Sequence, residues 1–289
     1  MVLKVLKPTT STRRHTIVVR DKSIVGVTKN IPSKLLVSVA YKAGRTGGKV
    51  TTRHKGGRVK RVYRVIDFKR DKFDVIGKVE SFHYDPYRTA NLALVKYIDG
   101  ERRFVLATKN MIIGTEIVSG KEAPIAEGNA MPLTRVPDGS YIHNVELKKG
   151  AGGILGRSAG ISIQKQGNVH DYVQLKMPSG EIRLVKGENF ATLGEIGNED
   201  HGKEKVGKAG TNRKRGIRPT VRGVAMSIKH PHAGGQGKSG RGGPGGPSST
   251  PWGKKQMAKT RKNKSTNKYI IKRRSGKTRP NVKGYKTMY

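Results

Sequence analysis

Cysteine is absent from this chain of 289 residues. Its absence excludes disulfide bonds, thiolate zinc sites and cysteine nucleophiles, and it fits a reducing compartment. Aromatic residues make up only 6% of the chain, with a single tryptophan. No stretch approaches the roughly 18–20 consecutive apolar residues that a membrane-spanning helix requires, so the sequence predicts no spanning helix.

Acidic residues are also scarce, and their distribution is uneven. The chain has 60 Lys and Arg against 20 Asp and Glu, a net charge of +40. Residues 1–60 carry +14, residues 61–204 carry +2, and residues 205–289 carry +24 without a single acid. This pattern predicts a nearly neutral globular centre between two basic extensions. Nucleic acid is the expected partner, because every neutralised phosphate releases a counterion.

The central region reads as short β-strands separated by turns. Val62–Phe68 is rich in β-branched and aromatic residues, and alternating apolar positions follow in Val169–Leu175. The apolar runs Leu92–Ile98 and Arg103–Ala107 flank Asp99-Gly100, which predicts a hairpin. Short strands at this spacing favour two small barrels, with the break expected near residues 126–131. Barrels of the OB and SH3 types often bind nucleic acid, although a fold alone does not establish function.

The C-terminal basic extension has few large apolar residues and a glycine-rich stretch from Ala233 to Pro247. Such a segment cannot bury enough apolar surface to offset its chain entropy. The sequence therefore predicts that the chain beyond about residue 205 is disordered alone and becomes ordered along a phosphate-lined surface.

His230-Pro231-His232 is the most chemically suggestive motif in this extension. Two histidines could ligate a metal, but zinc sites use three or four ligands, and no acid follows residue 204. A catalytic histidine would need an orienting partner and a pocket, which the glycine-rich surroundings do not offer. The expectation is therefore no metal, no cofactor and no independent catalysis, with both histidines contacting RNA or supporting structure.

Two further segments mix cations with glycines and hydroxyls, at Lys42–Lys49 and Thr51–Arg58. Such groups contact phosphates and sugars. The single tryptophan, Trp252, either stacks on a base or anchors the tail in an apolar pocket. The residues predicted to bind RNA are Arg13, Arg14, Arg53, His54, Lys55, Arg213, Lys214, Arg215, Arg218, Arg222, His230, His232 and Trp252.

A series of motifs, which follow one another along the chain in the family's order, resembles the bacterial-type ribosomal protein L-two family of the large subunit. The resemblance runs from about Lys7 to Arg274. The motifs that carry it are Arg53–Gly57, Tyr63–Arg70, Tyr84–Asn91, Asp99–Arg103, His143–Glu146, Gly156–Gly160, Ala191–Glu195, Gly207–Gly210, Arg218–Gly223, His230–His232 and Thr250–Gly253.

The resemblance implies a mostly β protein: an OB-fold barrel followed by an SH3-like barrel, with long basic irregular N- and C-terminal extensions. The expected boundaries are 1–60 for the N-terminal extension, 61–126 and 127–204 for the barrels, and 205–289 for the C-terminal extension. It implies a structural, non-enzymatic constituent of the cytoplasmic ribosome. The expected roles are binding of 23S rRNA, support of subunit association and support of the peptidyl transferase centre. The implied partners are large-subunit rRNA, the small subunit and other ribosomal proteins.

The sequence departs from the family pattern around the histidine motif. Ser227 stands where the family usually has Asn, Lys229 where it has an acid, and Ala233 where it has the first of three glycines. Residues 275–289 extend past the usual end, and no role is assigned to them.

Two other classes of function stay open at this point. The first is an enzyme in which His230 takes part in peptidyl transfer. A His230→Ala protein that assembles normally but yields inactive subunits would favour it. The second is a nonspecific nucleic-acid chaperone, which would bind DNA and RNA equally, with a steep dependence on salt.

Overall fold

A computed structural model describes residues 2–20, 24–25, 31–227, 250–255 and 265–276. The described residues form twenty short strands. These are β1 Val2–Val5, β2 Ile17–Arg20, β3 Ile24–Val25, β4 Leu36–Ser38, β5 Arg45–Thr46, β6 Lys49–Val50, β7 Val62–Arg64, β8 Gly77–His83, β9 Leu92–Tyr97, β10 Arg102–Leu106, β11 Glu116–Ile117, β12 Ala130–Pro132, β13 Tyr141–His143, β14 Val145–Glu146, β15 Gly153–Leu155, β16 Ile163–Val169, β17 Tyr172–Lys176, β18 Ile182–Lys186, β19 Phe190–Leu193 and β20 Ile270–Lys272.

Helices are few and short in the same residues. They are the α-helix α1 Ala209–Lys214 and the 3-10 helices Arg13–His15, Ser33–Leu35, Glu199–Lys203, Gly223–Ala225 and Ser265–Tyr269. None of these helices has the length and apolar character needed to cross a membrane.

The chain forms two compact units that do not follow the order of the sequence. The main unit consists of residues 1–40, 60–207 and 266–289, and the basic unit consists of residues 41–59 and 208–265. The basic unit thus takes one piece from each predicted extension. The domain boundaries proposed from the sequence stay a prediction.

The first sheet of the main unit is built on the predicted hairpin. β9 and β10 pair antiparallel across Asp99-Gly100, so the predicted hairpin is confirmed. The sheet order is β10-β9-β8-β11, and β3 joins β8 in parallel. Alternate residues of β9 point to opposite faces. Leu92 and Leu94 therefore enter one buried cluster, and Ala93 and Val95 enter another.

The second sheet has seven strands in the order β12-β19-β13-β16-β17-β18-β20. Its core includes Ile142, Ile163 and Leu175, all fully buried. The first sheet and its barrel form the OB fold, and the second forms the SH3-like barrel. The predicted fold class, mostly β with an OB fold followed by an SH3-like barrel, is confirmed.

The N-terminal residues contribute to the main unit rather than trailing from it. β1 and β2 form an antiparallel pair, and Ile17 exchanges two backbone hydrogen bonds of 3.0 Å with Lys205. A Cβ atom on Gly207 would lie 2.0 Å from the Thr16 hydroxyl oxygen, so only glycine fits at this crossing. The start of the C-terminal basic segment is therefore fixed to the N-terminal hairpin.

The far end of that segment returns to the SH3-like sheet. β20 pairs antiparallel with β18, which places it at the edge of the sheet. Its Ile271 is buried against Leu184, with Tyr172, Ile182 and Tyr269 packed around them. The strand covers main-chain groups that an open edge would expose to other chains.

His143 is a buried histidine in the SH3-like barrel, on β13. Its Nδ1 lies 2.9 Å from the carbonyl oxygen of Gly194. Burial, aided by the charge of Arg70, lowers the pKa of His143 from 6.5 to about 4, although the bond to Gly194 opposes the shift. Burial also lowers the pKa of His83. Both groups are therefore neutral in the folded protein near neutral pH.

We expect acid to destabilise the fold through His143. Its folded pKa is depressed, so the unfolded chain binds more protons between pH 6.5 and about 4. The free energy of unfolding should fall across this window by about 3 kcal/mol, and His83 adds a loss of the same sign. Chemical denaturation at a series of pH values measures this slope. His143→Gln should flatten it, whereas the exposed His15→Gln should not. An NMR titration that placed the His143 pKa near 6.5 would contradict the prediction.

Candidate nucleic-acid interface

The basic unit contains 21 Lys and Arg residues and no Asp or Glu. Its positive charge is therefore not offset by any carboxylate of its own. Like charges at this density repel, so a fold that holds them together suits an anionic ligand. The described part of the unit comprises residues 41–59, 208–227 and 250–255.

Glycines shape the first segment of the basic unit. β5 and β6 form a hairpin through Gly47-Gly48, whose φ angles of 57° and 73° suit a tight two-residue turn. Gly44 has φ 72°, and its carbonyl accepts hydrogen bonds from the amides of Thr51 and Thr52. A Cβ atom on Gly44 would lie 2.3 Å from the Thr52 carbonyl oxygen. The loop closes because no side chain is present there.

The two segments of the basic unit are joined by main-chain hydrogen bonds. The amide of Gly56 donates to the carbonyl of Gly216 at 2.9 Å, and the amide of Val59 donates to Lys214 at 3.0 Å. The Arg218 amide donates to His54 at 3.1 Å. Backbone groups pair without apolar side chains, so this ladder can order a sequence that has almost no core.

This ladder gives defined structure to part of the chain beyond residue 205, for which the sequence predicts disorder in the isolated protein. Residues 209–214 form α1, and residues 214–218 are bonded to residues 54–59. Side-chain burial alone predicts disorder for these residues, whereas the order here comes from main-chain pairing with a distant segment. The glycine-rich stretch 233–247 lies outside the described residues.

Some of the cations stabilise the unit itself. The Arg213 guanidinium lies 3.4 Å from the Gly56 carbonyl oxygen. The Arg58 guanidinium lies over the Tyr41 ring at 4.1 Å, and the Tyr41 hydroxyl donates to Gly216 at 3.4 Å. Arg213 therefore has a structural role in addition to the RNA contact predicted for it.

A groove of about 420 Å³ gathers several of the predicted RNA-binding residues. Trp252 is 56% exposed, and the Arg53 guanidinium lies 5.8 Å from its ring centroid. An exposed aromatic ring beside cations can stack on a base while the cations bind phosphate. The groove is lined by Ala43, Arg45, Val50, Thr52, Arg53, His54, Lys55, Arg218, Pro251 and Trp252.

The other predicted residues are distributed differently. Lys214 lies at the end of α1, and Arg215 and Arg222 lie nearby in the chain within the basic unit. Arg13 and Arg14 belong to the main unit, in the exposed 3-10 turn between β1 and β2. They do not line the groove.

His230 and His232 lie outside the described residues, as do the departures at Lys229 and Ala233. In the part of the chain that the structure does describe, no group of three His, Asp or Glu side chains is placed to hold a metal ion.

The main unit holds a second cationic cluster, formed by residues that are not among those predicted from the sequence to bind RNA. The Arg157 guanidinium lies 3.7 Å from the Phe68 ring centroid, and that of Arg88 lies at 5.2 Å. Asp85 pairs with Arg88 at 2.6 Å. Burial and the charge of Arg88 lower the pKa of Arg157, as expected for two neighbouring cations.

Phe68 itself connects the two barrels. Its carbonyl accepts hydrogen bonds from the Gly153 amide and the Asn144 side chain of the SH3-like barrel. Arg88 and Arg157 stood in family-like motifs, but no run of charge marked them. Their clustering depends on how the two barrels pack, which a local pattern does not encode.

Two β-barrels together with an acid-free, glycine-shaped cationic unit define a nucleic-acid-binding protein. Comparison with known families agrees. The family model of the Ribosomal Proteins L2 RNA-binding N-terminal domain matches residues 32–119, and that of the L2 C-terminal domain matches residues 126–253. The chain belongs to the L2 family of ribosomal proteins, which confirms the resemblance seen in its motifs.

Two curated relatives show how far the similarity extends. The chain is 47% identical over 279 residues to the large ribosomal subunit protein uL2 of Acidithiobacillus ferrooxidans. It is 48% identical over 277 residues to the large ribosomal subunit protein uL2c of Cyanidium caldarium. Each alignment covers 95% of this chain and 100% of the relative.

Gly44→Ala should loosen the groove. The new Cβ atom meets the Thr52 carbonyl oxygen at 2.3 Å, in a backbone conformation that costs an L-residue about 1–2 kcal/mol without any clash. Hydrogen exchange at the Thr51 and Thr52 amides should accelerate. Gly47→Ala is the matched control: its φ is also positive, but a Cβ atom there meets nothing within 4 Å. Equal acceleration in both variants would show that the clash has no effect.

Proposed function

We propose that this protein is a structural constituent of the large ribosomal subunit that binds 23S rRNA through its basic unit. The observation that carries the proposal is the groove around Trp252, built from two segments that contain 21 cations and no acid. Both relatives are named as large ribosomal subunit proteins, which supports the proposal. The protein is a component of the cytoplasmic ribosome. It is not an enzyme, in agreement with a family of structural ribosomal proteins.

The RNA contacts divide by chemistry. Arg53 and Arg218 supply guanidinium groups that bind phosphate in two-point geometry, and Lys55 supplies a point charge. Trp252 supplies a ring on which a base stacks. The proposed set also includes Arg13, Arg14, His54, Arg213, Lys214, Arg215, Arg222, His230 and His232.

The finer roles concern translation itself. We propose that the protein supports association with the small subunit, contacts other ribosomal proteins and supports the structure of the peptidyl transferase centre. His230 supports that centre at most, and it is given no catalytic step. The family similarity supports these roles, and the loss of subunit assembly in a His230→Ala protein would fit them.

The chaperone alternative rests on the net charge of +40 alone. Charge without geometry predicts binding that vanishes as salt rises. A groove shaped by the main-chain ladder and by Gly44 predicts binding that depends on the shape of the RNA. The groove therefore favours the structural role.

Sedimentation of cell lysate through a sucrose gradient at high salt separates these two functions. A chain integrated into the large subunit should sediment with it, because shape-specific contacts survive when exposed charges are screened. A chain that moves to the top of the gradient would support the chaperone and overturn the structural proposal.

Two variants should weaken rRNA binding in different ways. Arg218→Gln removes one phosphate contact and should reduce the slope of log affinity against log salt by about one. Trp252→Leu removes stacking and should lower affinity roughly tenfold with the slope unchanged. Filter binding to large-subunit rRNA over a salt series measures both effects.

The exposed Lys96 on β9 provides the control. Lys96→Gln removes one cation from the OB sheet, and it should change neither the affinity nor the slope. If it weakened binding as much as Arg218→Gln, net charge rather than the groove would account for the affinity.

A further inference from the structure

A second groove lies on the SH3-like barrel, in the main unit. Its volume is about 520 Å³, within the range of ligand-sized sites. It is completed by the returning segment that contains β20, since Thr266 and Tyr269 line it together with residues of β17 and β18. None of the residues predicted from the sequence to bind RNA contributes to it.

The floor of this groove is apolar and aromatic. Leu184 and Val185 of β18 are buried, and Leu147 packs against the barrel core. The Tyr172 and Tyr269 rings lie 5.9 Å apart between centroids, tilted by 37°. Both tyrosines are only half-buried, so their rings are accessible to a flat ligand.

The rim of the groove is cationic. Lys148, Lys149, Arg183 and Lys186 line it, and Glu188 is its single acid. Lys149 and Lys186 both pair with Glu188, at 3.3 Å and 3.6 Å. Arg183 pairs with Glu181 at 3.8 Å, so three lysines face the single carboxylate of Glu188 and leave an excess of positive charge that attracts an anion.

An apolar aromatic floor under a cationic rim fits a ligand that is flat at one end and anionic at the other. A nucleotide has this form, because every base presents a π-face and every phosphate a negative charge. An acidic peptide would match the rim but would offer no flat π-face to the two tyrosine rings. The combination therefore favours a nucleotide.

We propose that this groove binds one unstacked nucleotide of single-stranded RNA, with its base against Tyr172 and Tyr269 and its phosphate at Lys148, Lys149 and Lys186. This contact is additional to the proposed binding by the basic unit. Pairing of β20 with β18 and binding of the nucleotide would then stabilise each other, because Thr266 and Tyr269, which line the groove, directly precede β20.

Photolabelling of the full chain tests the proposal. The probe is 8-azidoadenosine 5′-monophosphate, and labelled peptides are mapped by mass spectrometry. We expect label at peptides that contain Tyr172 or Tyr269. Adenosine monophosphate should compete for this label at least tenfold better than ribose 5-phosphate, because only the former has a base to stack.

Two pairs of variants locate the effect. Tyr269→Leu keeps an apolar side chain for the packing around Ile271, and it should reduce labelling of the groove roughly tenfold. Tyr141→Leu, on the exposed part of β13, should leave it unchanged. Lys148→Gln should reduce labelling by roughly threefold, the effect of one screened charge, whereas the exposed Lys176→Gln on β17 should not.

Three outcomes would overturn the proposal. Label confined to peptides of the basic unit would exclude the groove, while leaving the proposed function intact. Equal competition by adenosine monophosphate and ribose 5-phosphate would exclude stacking. Displacement of the probe by hexaglutamate as readily as by adenosine monophosphate would make the groove a surface for acidic peptides. Failure of the proposed function is detected separately, by the chain leaving the large subunit in high salt.

Discussion

The backbone hydrogen bonds between residues 54–59 and 214–218 are the interaction on which the basic unit depends. The unit has no carboxylate to offset its cations and too few apolar residues to form a core. Every residue except proline carries both a main-chain donor and a main-chain acceptor, and pairing them does not require a particular side chain. Most side chains are therefore not needed to stabilise the unit and can contact an anionic ligand. The glycines make this arrangement possible, because they adopt positive φ angles that other residues rarely adopt.

The main unit supplies what the basic unit lacks. Its two barrels have dense apolar cores, and their charge between residues 61 and 204 is nearly balanced. The Ile17–Lys205 bridge and the edge strand β20 belong to the main unit, and they hold the chain at both ends of residues 208–265. Rigidity and charge are thus separated in the molecule: stable packing resides in one set of residues and electrostatic attraction in another.

The sequence predicted those features that local patterns encode. The apolar runs on either side of the Asp99-Gly100 turn predicted the β9–β10 hairpin, and the charge map predicted a polyanion partner. It did not predict that residues 41–59 pair with 208–218, because main-chain pairing leaves no mark in side-chain periodicity. The disorder expected of the isolated chain beyond residue 205 stays a prediction, although residues 209–218 have a defined helix and main-chain pairing. Arg88 and Arg157 were missed because they meet only when the two barrels pack.

The attachment of β20 has a topological consequence. Because residues near 205 and 270 are both fixed to the main unit, the chain between them is a closed loop rather than a free end. A free end can be threaded through an opening that admits a single chain, whereas a loop must enter doubled and needs an opening wide enough for two chains. An RNA that enclosed this segment through a narrower opening would have to fold around it, or β20 would have to detach first and rejoin the sheet afterwards. The pairing of one short strand at the edge of a barrel therefore sets the smallest opening through which this segment can pass.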